Sequence, residues 1–185
     1  MMKEKVTKVI ETERLVLRPF NIEDANDMFD HWCHDPDVTK YLTWMPHKDV
    51  EESRSIAKLW QDGSDNNELY QWAIVLKSSD QVIGSIGVVN DNETTKMAEI
   101  GYALGKKYWH QGITSEASGA IIHYLFACGY ERIQAKHDIN NPNSGKVMEK
   151  CGMKKEGILR RYAKNNQGIV NVAMYAILKE DFYQS

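Results

Sequence analysis

The residues whose types and spacing carry chemistry lie in Lys107-Tyr108-Trp109-His110-Gln111-Gly112-Ile113-Thr114-Ser115-Glu116-Ala117. The chemistry they suit is the holding of an anion. A strand-like run, Ala98 to Leu104, stands upstream. Downstream, Ala117, Ile121, Tyr124, Leu125 and Cys128 fall on one stripe at helical spacing. The first N–H groups of a helix have no partner within it and face outward at its positive dipole end, which favours phosphate. Gly112 has no Cβ, so its backbone can take unusual dihedrals and approach a pyrophosphate closely. Thr114 and Ser115 can cap the helix and offer hydroxyls. The loop is neither the GxGxxG of a dinucleotide fold nor a GxxxxGK[ST] loop.

Other constellations carry less. His31-Trp32-Cys33-His34 has the residue types of a metal site, but no third and fourth ligand follows at a supporting spacing. It reads as a helix end plus loop, and no metal is expected. Cys33, Cys128 and Cys151 cannot all pair within the chain and have no metal spacing; Cys128 and Cys151 fall on apolar helix faces, as buried thiols in a reducing compartment would. A formal charge of −3 over 185 residues lacks the basic balance of general nucleic-acid binders and suits a cationic substrate. Met1 to Lys8 is charged, without an apolar leader core. Gly119 to Gly129, the longest apolar stretch, is broken by His123 and falls short of a membrane span. A cytoplasmic protein with no nucleic-acid or membrane partner is expected.

The elements that must position the loop follow from periodicity. Val9 to Phe20 reads as a first strand, ended by Pro19. Asn21 caps a helix with Ile22, Ala25, Met28, Phe29 and Trp32 inward, an aromatic loop spans Val38 to His47, and a helix runs from about Val50 to Gln61. Tyr70 to Leu76, Val82 to Val89 and Met97 to Leu104 are strands, with Gly84 and Gly87 marking a bulge or close backbone approach. Arg132 to Asp138 is a fifth strand. A short helix opens at Asn141-Pro142, and Met153 to Ala163 and Gly168 to Leu178 flank a turn at Asn165-Asn166-Gln167-Gly168. The expected fold is one α+β domain with a mixed, mostly antiparallel twisted sheet of about seven strands flanked by about four helices.

The loop and its surroundings resemble the GNAT acyltransferase superfamily, and within it the RimJ/RimL-type N-acetyltransferases. Their "YWGKGYATEA" is matched by Tyr108 to Ala117, with His110 where a small residue is usual and Thr114 where Ala or Gly is usual. Trp109, at the Arg/Gln position of the wider superfamily, is shared with the subfamily. "DPxVxxYLxWxPHxxxE", Asp35 to Glu51, matches the subfamily's early segment, and the fold is the one such proteins share.

The resemblance implies acetyl-CoA as co-substrate and a primary amine as acceptor, by family a protein N-terminus such as that of a ribosomal protein. A small-molecule amine (polyamine, amino acid or antibiotic) is the close alternative. An acyl-CoA-binding sensor without turnover is a rival of another class, and a nucleotide-phosphate enzyme a remote one; a homodimer fits any of these. Gln111, Gly112, Ile113, Thr114 and Ser115 would hold the phosphates. The pantetheine arm would pair with Glu99 to Leu104, where Tyr102, Ala103 and Leu104 take part, Gly101, Ala103 and Gly105 permit close approach, and the N–H of Tyr102 or a neighbour meets the oxyanion. Glu99 is the first candidate for the base that deprotonates the amine, and His47 the second. Glu99 as a solvated strand-end carboxylate is the competing reading. Glu116 reads as a first-turn residue favoured by the helix dipole. Many GNAT enzymes protonate the leaving thiolate with a tyrosine where this chain has Met148. The RimJ/RimL-like pattern instead assigns that task to Ser144 and a bond to the cofactor arm to Asn141, which could equally be a plain helix cap. Tyr41, Trp44, Pro46 and His47 would line the acceptor pocket.

Overall fold

The computed structural model describes residues 6–68 and 70–184; Met1 to Lys5 of the charged leading segment lie outside them. Alternation in Leu15-Val16-Leu17-Arg18 turns both leucines inward, and both are fully buried in β2 (Leu15–Pro19). The single first strand expected from Val9 to Phe20 is in fact two. β1 (Ile10–Glu11) folds back on β2 because the Thr12 hydroxyl accepts from the Leu15 N–H at 3.1 Å, closing a tight turn.

Asn21 caps as expected, accepting from the Glu23 N–H at 3.1 Å, while Asp24 accepts from the Asn21 N–H at 2.8 Å. The helix it opens is irregular: a 3-10 turn (Ile22–Asp24), α1 (Ala25–Met28) and a π turn (Phe29–Cys33). Its apolar stripe survives these changes, since Met28 and Trp32 are fully buried. α2 (Pro36–Thr39) is a single turn behind the cap of Asp35. α3 (Val50–Asp65), capped by Asp49, continues one turn past the expected end at Gln61.

A meander follows, with β3 (Gln71–Leu76), β4 (Gln81–Asn92) and β5 (Met97–Leu104). The chain then passes through a 3-10 turn at Lys106–Tyr108 into α4 (Ile113–Ala127), β6 (Arg132–Asp138) and α5 (Pro142–Lys150). It ends in a hairpin, β7 (Lys154–Asn165) and β8 (Gly168–Leu178), and a last helix, α6 (Lys179–Gln184). The strands form one sheet of eight, ordered β1-β2-β3-β4-β5-β6-β8-β7. The additions to the expected count are β1, α2 and α6, all of a few residues and without the period that marks longer elements. Period 2 in β3 sends Trp72 and Ile74 to one core with α4, and Ala73 and Val75 to a second core with α1 and α3. Gly84 and Gly87 leave room that the Ala103 carbonyl and the Gln71 side chain take up.

One feature of the sheet creates the site. β5 and β6 are its parallel pair, and they meet only at Met97↔Arg132, Ala98↔Ile133 and Glu99↔Gln134. β4 carries a bulge between Val88 and Asn90, opposite Ile100 and Glu99. A bulge adds local twist, and here it falls where β5 leaves β6. Beyond it the strands fork. The edge of β5 from Ile100 to Leu104 has no strand beside it on that side.

Candidate active site

A cavity of about 740 Å³ fills the fork. One wall is β5 from Ile100 to Leu104, and the opposite wall is the end of β6 with the start of α5. The start of α4 lines it too, and Asp37 to Leu42 form a rim that Asp37 ties to Lys106, just past β5. Five lysines line it, Lys40, Lys106, Lys136, Lys146 and Lys150, against two carboxylates, Asp37 and Asp138. That balance favours an anionic ligand.

At the α4 end, Gly112 is the N-cap, in the left-handed region at φ 77. The first intrahelical bond runs from the Glu116 N–H to the Gly112 carbonyl at 3.0 Å, which leaves the N–H groups of Ile113, Thr114 and Ser115 without helical acceptors. Gly112, Ile113, Thr114 and Ser115 line the cavity. Thr114 and Ser115 do not cap, because the helix starts ahead of them and no side chain bonds its end. Gln111 is exposed and stands back from the cavity wall; its amide donates to the Lys107 carbonyl at 2.9 Å. His110 shares the left-handed conformation, at φ 60, which explains why a small residue is usual there. Arg14 staples the loop from outside, donating to the Gln111 carbonyl at 2.9 Å and to Glu116 at 2.7 Å. Glu116 also accepts from the Thr12 hydroxyl at 2.6 Å and the Arg14 N–H at 2.9 Å. Burial pushes its carboxyl upward, but these donors outweigh it and hold the group below the usual range.

In the fork, the Leu104 carbonyl accepts from the Trp109 indole at 2.7 Å. The missing Cβ of Gly101 is used on the protein side, where a Cβ would stand 2.9 Å from Val89. Tyr102 reaches across the gap, its hydroxyl 2.9 Å from Ser144 Oγ and donating to the Ser144 carbonyl at 3.1 Å. Burial raises the Tyr102 phenol, with the Ser144 bond pulling the other way, so it stays protonated at neutral pH. Met148 is buried in the wall beside them. Asn141 sits at the start of α5 without a side-chain cap bond and faces the cavity, so capping is not its use. Lys146 and Lys150, one turn apart on α5, have no ion pair among the described residues.

The structure does not bring every candidate to the cavity. Glu99 is 3% exposed and lies in the closed part of the fork, just before the wall begins at Ile100. It is no solvated strand-end carboxylate. One oxygen accepts from Gln134 at 2.9 Å and the other pairs with the Lys136 ammonium, which does line the cavity. Tyr41 is at the rim. Trp44 and His47 are not: Trp44 packs on the second core, and the His47 ring is 2.8 Å from Ser53 Oγ. Burial also lowers the His47 imidazole. Cys128 ends α4 and is half-buried, as is Cys151, whereas Cys33 is fully buried, and all three thiols are free. Asp138, Asn165 and Tyr102's hydroxyl are the site groups that sequence reading missed. Among the described residues no His, Cys, Asp and Glu gather as a metal site, and no helix is long and apolar enough to cross a membrane.

The family model described as an acetyltransferase (GNAT) domain matches residues 14–154, and the chain belongs to that family. An uncharacterized N-acetyltransferase, p20, of Bacillus licheniformis is 36% identical over 172 residues, 92% of this chain and 96% of that one. The [ribosomal protein uS5]-alanine N-acetyltransferase of Escherichia coli (strain K12) is 26% identical over 170 residues, 86% of each chain. Among solved structures, the microcin C7 self immunity acetyltransferase MccE in complex with acetyl-CoA and AMP superimposes with a TM-score of 0.80 at 20% identity, over 90% of this chain and 93% of that chain, a likeness of fold. The protein is an N-acetyltransferase with RimJ/RimL-like relatives.

Proposed function

We propose that the protein moves an acetyl group from acetyl-CoA to a primary amine, and that the amine is a protein N-terminus. The observation that carries the first part is continuity. Free helix N–H groups, an unpaired strand edge and a Tyr102–Ser144 hydroxyl pair line one cavity, which offers partners for the phosphates, the pantetheine amides and the thioester sulfur of acetyl-CoA. Lys146 and Lys150 supply charge, and the Asn141 side chain has bonds to give. The acceptor class rests on the ribosomal-protein relative and the Asp35 to Glu51 pattern.

Acetyl-CoA supplies the thioester, and the residues of the chain manage protons and charge around it. The arriving ammonium loses a proton, for which Glu99 is the base, acting through water because it stands behind Lys136. The amine lone pair then attacks the carbonyl carbon, a C–N bond forms, and an N–H of β5 meets the oxyanion. Collapse breaks the C–S bond. Ser144 hands its proton to the thiolate and takes up the proton that the nitrogen sheds, giving a neutral amide and a free thiol. Thiol release from acetyl-CoA, measured over a panel of N-terminal peptides and polyamines, tests the reading. Turnover of a peptide is the expected result; turnover of polyamines alone would move the acceptor to small molecules, and binding without turnover would make the protein a sensor.

A further inference from the structure

The two carboxylates that line the cavity are engaged differently. Asp37 is exposed and pairs with Lys106. Asp138, the last residue of β6, is 5% exposed. Its Oδ1 accepts from the Asn140 N–H at 2.9 Å and from the Asn140 amide at 3.1 Å, and its Oδ2 accepts from the Asn165 amide at 2.8 Å. All three donors are neutral, and no cation among the described residues pairs with it. Neutral amides fix the direction of a carboxylate and leave its charge uncompensated, which is costly in a buried place unless a cation arrives.

The surroundings say where that cation comes from. Asp138 lies past the last β5–β6 pair, bonded to Asn140 and Asn165, whereas the anion cradle belongs to the start of α4. The β7–β8 turn links Asp138 to the rim. Asn165 holds Asp138, and next to it the Asn166 N–H donates to the Leu42 carbonyl at 3.0 Å, while its amide donates to the Thr39 and Trp44 carbonyls at 2.9 and 2.7 Å. One turn thus orients the free carboxylate and fixes the rim around it.

We propose that Asp138 receives the ammonium of the acceptor, with Asn165 and Asn140 as positioning residues. The proposal rests on the acetyl-transfer reading and names its amine-binding group. The test uses the whole chain with acetyl-CoA, and two probes, a serine-initiated pentapeptide with a free α-amine and spermidine. Asp138→Asn should raise the KM of whichever probe the wild type acetylates by at least about tenfold, with acetyl-CoA affinity held within about twofold. Asn165→Ala should raise the same KM by less and leave kcat near wild type, a split that a merely structural role would not produce. Should Asp138→Asn fail to bind acetyl-CoA through misfolding, Asn165→Ala carries the test alone. An unchanged amine KM in these variants, or a fall in kcat at constant KM, overturns the assignment while acetyl transfer stands. A wild type that binds acetyl-CoA and acetylates neither probe nor any amine of the panel overturns both.

Discussion

At the α4 end of the cavity the facing groups are backbone N–H donors, delivered by the consecutive residues Ile113, Thr114 and Ser115. At the acceptor end they are side chains from separated segments, the α2 rim, the end of β6 and the β7–β8 turn, tied by bonds such as Asn166 to Thr39. A cradle of the first kind depends on one local conformation and tolerates many side chains. A pocket of the second kind depends on distant residues meeting, and each can change with little effect on the cradle. On the proposed reading the first binds the co-substrate and the second the acceptor, and single substitutions should separate the two.

The largest effect should come from Gly112→Asp. It places a side chain at φ 77, where L residues are strained, and a negative charge where phosphate must sit. In the wild type, CoA at a hundredfold excess over its Kd should add about 2.7 kcal/mol of stability, read as a rise in melting temperature. The variant should show no rise, and a full one would remove the cradle from the site. Next is Glu99→Gln, for which kcat should fall by roughly 10²-fold with the CoA-induced rise retained. Because Lys136 loses its partner, the ligand-free protein should also lose about 1–3 kcal/mol in denaturant titration. A lower melting point with wild-type kcat would leave Glu99 as a support for Lys136 alone.

Ser144→Ala should be milder. A thiolate is a fairly stable leaving group, free cysteine having a pKa of about 8.5. The Ser144 hydroxyl does not cap α5, so the fold should be kept. A fall of about tenfold in kcat, near 1.4 kcal/mol of barrier, is expected with acetyl-CoA affinity changed by less than about threefold. Normal turnover in initial-rate assays would send the proton by another route. Arg14→Ala should have the smallest effect. The staple to Glu116 is partly exposed, and such pairs contribute about 0–1 kcal/mol. Isothermal titration should show CoA binding weakened by a few-fold and amine KM unchanged. A shift in amine KM would mean that the two ends are not independent.

What could be read beforehand follows the same division. The strand, glycine loop and helix of residues 98–127 are contiguous, so period and punctuation placed them, and β5, β6 and the Asn141–Pro142 helix start were legible for the same reason. Glu99 showed as a carboxylate on an apolar strand. Its partner Lys136 lies 37 residues on, in a strand whose register with β5 no local pattern states. Trp44 and His47 carry residue types suited to a pocket, but a loop's side chains point where tertiary packing sends them. Asp138 looked like an ordinary strand end because its bond to Asn140 is a local turn and its other donor, Asn165, lies 27 residues on in the last hairpin. The fork itself falls beside a bulge at Val88–Asn90 in the neighbouring strand, where the polar run Asn90-Asp91-Asn92 reads as a connection and the strand in fact continues to Asn92.

The open edge of β5 has a consequence for how the chain behaves in a crowded cell. A strand with unpaired peptide groups is a template on which a second chain can polymerise, and proteins commonly blunt such edges with charge or proline. Ile100-Gly101-Tyr102-Ala103-Leu104 has neither. Its protection is placement, since the edge lies in the middle of the sheet and faces the end of β6 and α5 across the cavity. A slender ligand with amides of its own fits such an internal edge better than an incoming strand, so on the proposed reading the co-substrate would itself cover the exposed peptide groups.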